Sequence, residues 1–188
     1  MRLKISAFII LFVTALPFST VSANDYSSTV TLFKNAGESA VFFDDSYGYA
    51  VFPSIGEGGF IVGGAFGEGR VYVAEKHVGD TEMAQLSVGF QFGGKTFSQI
   101  IFFKDERAFK EFSSGSFEFG ADVSATAIKA SAEATAGTAG GSAGTSTTKS
   151  GTKTAGKYHK GMATFTVSKG GLMLQAAIAG QSFEYTAK

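Results

Sequence analysis

No cysteine occurs in the 188 residues, so the chain can form neither disulfides nor thiolate metal sites, and it offers no position for lipoprotein acylation. Histidine is almost as scarce: His77 and His159 are the only two, far apart in sequence and outside any recognisable nucleophile–base motif. The sequence therefore points to no catalytic residue, no metal ligand set and no cofactor. An excess of either charge is missing too, since 16 Lys and Arg balance 16 Asp and Glu, and nucleic acid has no electrostatic reason to bind. Beyond the N-terminus, no segment approaches the roughly 18 uninterrupted apolar residues of a membrane helix.

The N-terminus carries the marks of an export signal. Arg2 and Lys4 precede an apolar run from Ile5 to Phe18, and Val21-Ser22-Ala23 supplies the small residues of a cleavage site, so cleavage is expected after Ala23. Arg2 and Lys4 are the only charges in that segment, and the remaining 165 residues carry 14 basic and 16 acidic side chains, a formal charge of −2. The expected product is a periplasmic or secreted single domain at 24–188, held by its apolar core alone.

Glycine and aromatic residues are abundant, with 25 Gly and 20 Phe. They interleave from Tyr49 to Phe103, as YAVFPSIGEGGFIVGGAFGEGRVYV and then AQLSVGFQFGGKTFSQIIFF. Glycine inside an alternating apolar run signals a bend, a bulge or close backbone approach. Period two places Leu86, Val88, Phe90 and Phe92 on one face of a half-buried strand, with Gln85, Ser87, Gly89, Gln91 and Gly93 on the other. Phe117 to Ala127 repeats the pattern. Further strands are expected at Ala50–Phe52, Gly59–Phe66, Arg70–Ala74, Phe97–Phe103, Met162–Ser168 and Leu172–Tyr185, with Gly64 to Gly69 as a hairpin turn.

Helices are expected at Tyr26–Asn35, where Val30 and Phe33 share a face, and at Ser39–Ser46, where Ser39 is the N-cap, Gly48 the stop, and Val41, Phe42 and Phe43 supply bulk. Asp105 can cap a third, short helix that buries Ala108, Phe109 and Phe112. Ala130 to Gly156 contains only small and polar residues and reads as a low-complexity loop, with Lys149, Lys153 and Lys157 able to attract anions weakly. The fold class is α+β and β-rich: one domain with a twisted antiparallel sheet curled into a barrel or sandwich, two short N-terminal helices and one internal helix.

Two motif matches dissolve in context. Gly89 to Thr96 satisfies G-x-x-x-x-G-K-[ST], but a phosphate-binding loop must open a helix at its Lys-Thr end, and here β-like FSQIIFF follows. No nucleotide is expected. Gly64-Ala-Phe-Gly67-Glu-Gly69 likewise leads into Arg70-Val-Tyr-Val rather than a helix. The acid pairs Asp44-Asp45 and Asp105-Glu106 fall at helix edges, where capping and solvation account for them.

Four blocks in order, YGYAVFPSIGEGGFIVGGAFGEGRVYV, LSVGFQFGGKTFSQIIFF, FEFGADVSATAI and GMATFTVSKGGLMLQAAIAGQSF, resemble the SYLF or Ysc84 domain in its bacterial exported form, over about Phe33 to Phe183. Gly89, Phe90, Gln91 and Gly93 match that family's core motif, and Gly59, Gly63, Gly64, Gly67, Gly69, Gly120, Gly171 and Gly180 are its structural glycines here. The resemblance implies lipid binding rather than catalysis. Eukaryotic relatives bind phosphoinositides, partly through an amphipathic N-terminal helix, and the yeast member also bundles actin. For an exported chain the implied ligand is phospholipid or a phosphoinositide-like amphiphile, with actin an analogy only. Phe33, Lys34, Phe42 and Phe43 are then the candidate lipid contacts, and Arg70 and Lys95 the candidate headgroup partners. A small outer-membrane barrel and a structural or adhesin-like envelope protein are the alternatives. About eight alternating strands suit the barrel, whereas the helical segments, the bulky run Ile100 to Phe103 and the non-aromatic ending Thr186-Ala187-Lys188 speak against it.

Overall fold

Period-two alternation becomes one curled sheet in the computed structural model, which describes residues 22–59, 62–88, 95–120, 125–127, 156–169, 178 and 180–188. The chain runs α1 (Ala23–Asn35), α2 (Gly37–Asp45), β1 (Gly48–Gly59), β2 (Val62–Val73), β3 (Lys76–Val88), β4 (Lys95–Phe103), α3 (Glu106–Phe112), β5 (Ser116–Glu118), β6 (Thr126–Ala127), β7 (Met162–Ser168) and β8 (Gln181–Ala187). Strand order is β5-β8-β3-β2-β1-β4-β7-β6, and every junction is antiparallel except β6–β7. This is the expected β-rich α+β domain. The two edge strands are both short: β5 pairs with β8 at one end of the order, and β6 pairs with β7 at the other.

Each face of the sheet carries its own core. Inside the curl lie Phe52, Ile55, Met83, Ile101, Phe103 and Phe183, closed at one end by Ala108 and Phe112 of α3. On the outer face, Tyr49, Val51, Ile100, Phe102, Phe165 and Val167 are covered by Tyr26, Phe33 and Phe42 of α1 and α2. The run Ile100 to Phe103 follows from this arrangement, because a strand buried on both faces is apolar at every position. Pro53 lies where the register of β1 slips against both neighbours, as expected of a residue that cannot donate to the ladder.

Several boundaries differ from expectation. Residues Gly64 to Gly69 do not turn; they lie in β2, and the turn after that strand is Ala74-Glu75, both with left-handed φ. Gly67 and Gly69 face the interior beneath Ile55 and Phe52, and a Cβ on Gly69 would stand 2.5 Å from the Phe52 ring. Ser39 does not cap α2, which starts at Gly37 after Ala36; its buried hydroxyl instead donates to the Phe33 carbonyl at 2.6 Å and ties the two helices together. Asp45, not Ser46, ends α2, and Gly48 opens β1, where a Cβ would collide with the Tyr72 carbonyl. Val41 points to solvent. Of the expected Phe117–Ala127 strand, the described residues show β5 and β6, and 121–124 lie outside them. Asp105 caps α3 as expected, accepting from Ala108 N–H at 2.8 Å. The expected signal segment up to residue 21, Gly89 to Gly94, the loop to residue 155, Gly171 and residues 172–177 and 179 of the expected Leu172–Tyr185 strand lie outside the described residues, which show that strand as β8.

Candidate functional site

The interior of the curl is filled by the chain itself. Three strands lie between Gln99 on β4 and Gln181 on β8 in the sheet order, yet the Gln99 amide donates to Gln181 Oε1 at 2.9 Å across the interior. Gln181 in turn reaches Gln85 Oε1 on β3 at 3.4 Å. Both Gln99 and Gln181 are fully buried, so this amide bridge sits in a low-dielectric setting among Phe52, Met83 and Phe183. The buried hydroxyls of Thr81, Thr164 and Thr166 make no hydrogen bond among the described residues. By register, Thr164 and Thr166 share the inner face with Ile101 and Gln99. Buried orphans of this kind cost stability, and they make the inner face more polar than a pure hydrocarbon core.

The outer face divides into a covered and a bare part. Where α1 and α2 pack, Tyr49 stacks on Tyr72 with ring centroids 5.2 Å apart, and Phe42 meets Phe165 at 4.9 Å. Burial raises the Tyr26 phenol to about 12, with the Arg70 guanidinium opposing the shift. It also raises Tyr49, reinforced by Glu75. Tyr158, edge-on to Phe42, is likewise pushed up to about 12 by burial.

Toward the last residues of β1 and β3 and the first of β2 the outer face is exposed. Leu86 is 82% exposed and Phe66 42%, beside Ala84 and the bare backbone of Gly56, Gly58 and Gly64. Next along the strands, Glu68, Glu82 and Glu184 stand side by side across β2, β3 and β8. Like charges directly opposite one another repel, and none of the three has an ion-pair partner among the described residues.

The expected lipid contacts do not converge. Phe33 is fully buried and Phe42 nearly so, both inside the helix–sheet core, while Phe43 is half-buried against Tyr49 and Phe102. Lys34 lies over the Phe43 ring and pairs with Glu75 at 3.4 Å. Arg70 packs its guanidinium 4.2 Å from the Tyr26 ring centroid and 3.8 Å from Asp80. Lys95 begins β4 opposite Glu57, away from the helices. Leu86 corrects the expected phase of β3: Gln85 faces inward and Leu86 outward. The sequence held the clue, since Asp80 and Glu82 share Leu86's parity and belong in water.

A shallow cleft of about 100 Å³ between Phe117, Phe119, Met162, His159 and Lys160 is rimmed by Glu111 and Glu118. Arg107 closes its side by binding Glu111 at 2.9 Å and the Lys160 carbonyl at 3.2 Å. Among the described residues no group of acids and histidines is arranged to hold a metal ion, and no helix is long and apolar enough to cross a membrane.

Residues 84–186, more than half of the chain, match the family model described as Ysc84, Las17-binding protein actin regulator. Beta cell expansion factor A of Aeromonas veronii is 30% identical over 159 residues, which cover 84% of this chain and 52% of that protein. The chain thus spans about half the length of that relative. The family match begins at Ala84 and takes in β4 to β8, with Leu86 but without α1 and α2.

Proposed function

This chain belongs to the Ysc84 (SYLF) family, and from that premise we propose that it is an exported, non-catalytic lipid-binding protein of the cell envelope. The observation that carries the reading is the filled interior. Phe52, Met83, Ile101 and Phe183 are fully buried there, and Gln99 bonds to Gln181 across it. A curled sheet packed in this way meets lipid on its outer surface, as a membrane-surface binder does, and not as a carrier with one lipid enclosed.

An integral barrel fits less well. Its outer face needs an unbroken apolar belt. Here that face bears a helix pair, the Arg70–Asp80 pair and the row of three glutamates. The actin-regulator wording describes the family and is not carried to this chain.

Flotation of the purified protein with vesicles of defined phospholipids, at low and at physiological salt, tests the reading. It is expected to rise with at least one composition; failure to rise with any would remove lipid as the ligand. Cell fractionation tests the location: release in the periplasmic or secreted fraction is expected, and retention in the cytoplasm would refute export.

A further inference from the structure

At the bare part of the outer face, apolar side chains stand where the alternation of a half-buried sheet puts polar ones. On β3, Gln85 turns inward toward the Gln99–Gln181 bridge while Leu86, the next residue, stands in solvent. On β2, Gly67 is buried beneath Ile55 while Phe66 is exposed. Ile55, Ala65 and Met83 keep the inner face apolar at the same place, so the sheet carries apolar side chains on both faces here, and the outer pair is left for an apolar surface to cover.

The geometry points to this face, centred on Phe66 and Leu86 and bounded by Gly56, Gly58, Gly64 and Ala84, as the surface that docks on a zwitterionic phospholipid bilayer. The inference rests on the lipid-binding reading and assigns its place and headgroup charge. Two bulky apolar side chains rise from a floor of glycine backbone, a shape that enters a fluid apolar layer without a matching pocket. Charge then selects the bilayer. Glu68 lies two residues after Phe66 on β2 and Glu82 four before Leu86 on β3, which puts the glutamate row roughly 7 Å from Phe66 and roughly 13 Å from Leu86 along the sheet. With Phe66 and Leu86 in the interface, Glu68, Glu82 and Glu184 stand near the headgroups. There they repel anionic lipid over about a Debye length of 8–10 Å and tolerate choline or ethanolamine.

Because the chain has no cysteine, one introduced thiol can be labelled uniquely. The full chain carrying Leu86→Cys, and separately Val41→Cys on α2, is labelled with a polarity-sensitive dye. Each is then mixed with phosphatidylcholine vesicles and with vesicles containing phosphatidylglycerol. Both positions are exposed, so neither label disturbs the core. The Leu86 label is expected to shift to the blue and to be quenched by a lipid-borne quencher, and the Val41 label to stay unchanged. Phe66→Ser/Leu86→Ser should weaken flotation at least about tenfold at an unchanged thermal midpoint. Binding to phosphatidylcholine should be insensitive to salt, and Glu68→Gln/Glu82→Gln should raise binding to the anionic vesicles.

A response at Val41 without one at Leu86, or undiminished flotation of the double variant, would overturn the surface and leave lipid binding standing. Preference for anionic vesicles that fades with salt would overturn the headgroup assignment. A blue shift at Leu86 that needs only higher protein concentration would assign the face to a second copy of the chain. Flotation with no vesicle would overturn both the surface and the reading beneath it.

Discussion

At Gly69 an added methyl would stand 2.5 Å from the Phe52 ring, and that ring, fully buried, has nowhere to go. Gly69→Ala is therefore expected to lower stability by about 1–3 kcal/mol. Gly58→Ala, where nothing lies within 4 Å, should be neutral or slightly stabilising. Denaturant titration of the two variants checks the contrast, and equal effects would contradict the packing. Close backbone approach was legible in the glycine-rich run, but its partner was not. The local density of glycine reads as a turn, whereas the ring that demands it arrives from the neighbouring strand. Gln99 is the second case at this scale. Gln99→Leu leaves the buried Gln181 amide without its bond and should cost about 1–3 kcal/mol, while Gln99→Leu/Gln181→Leu should recover part of that loss. A double variant whose loss equals the sum of the Gln99→Leu and Gln181→Leu losses would show that the bridge contributes nothing. Nothing in the period-two pattern marks Gln99 or Gln181 as buried, because their burial depends on how far the sheet curls.

The helix pair is held by aromatic contact, and its weakness lies at high pH. Tyr26 on α1 and Tyr49 beneath the pair have phenols raised by burial, Tyr26 to about 12, from an ordinary value near 10. Since the folded chain holds these protons more tightly than the unfolded chain, their contribution is complete below pH 10 and is lost as pH rises through 12. Tyrosinate absorbance and near-ultraviolet circular dichroism should change together in that window, and Tyr26→Phe should blunt the transition. Titration of every tyrosine near pH 10 with the fold intact would contradict the burial of Tyr26 and Tyr49. Both helices were legible from their apolar spacing. Their junction was not, because the hydroxyl of Ser39 turns back to the Phe33 carbonyl instead of capping its own helix.

Among the described residues the molecule is one curled sheet whose edge strands β5 and β6 pair with β8 and β7, with one core inside the curl and a second beneath the helices. Alternation and the ordered sequence blocks made the sheet legible. The edge pairings were not, since β5 and β6 are too short to leave a pattern and their partners β8 and β7 lie far along the chain. The lipid contacts expected from the sequence followed bulk and positive charge to the N-terminal helices. Folding uses most of those side chains to join helix to sheet, and the bare apolar face lies instead where Phe66 and Leu86 turn outward. Flotation on phosphatidylcholine vesicles, wild type beside Leu86→Asp, tests that placement most directly. The exposed site leaves folding undisturbed, so wild type should rise with the vesicles and Leu86→Asp should stay behind; equal flotation of the two chains, or flotation of neither, would contradict it.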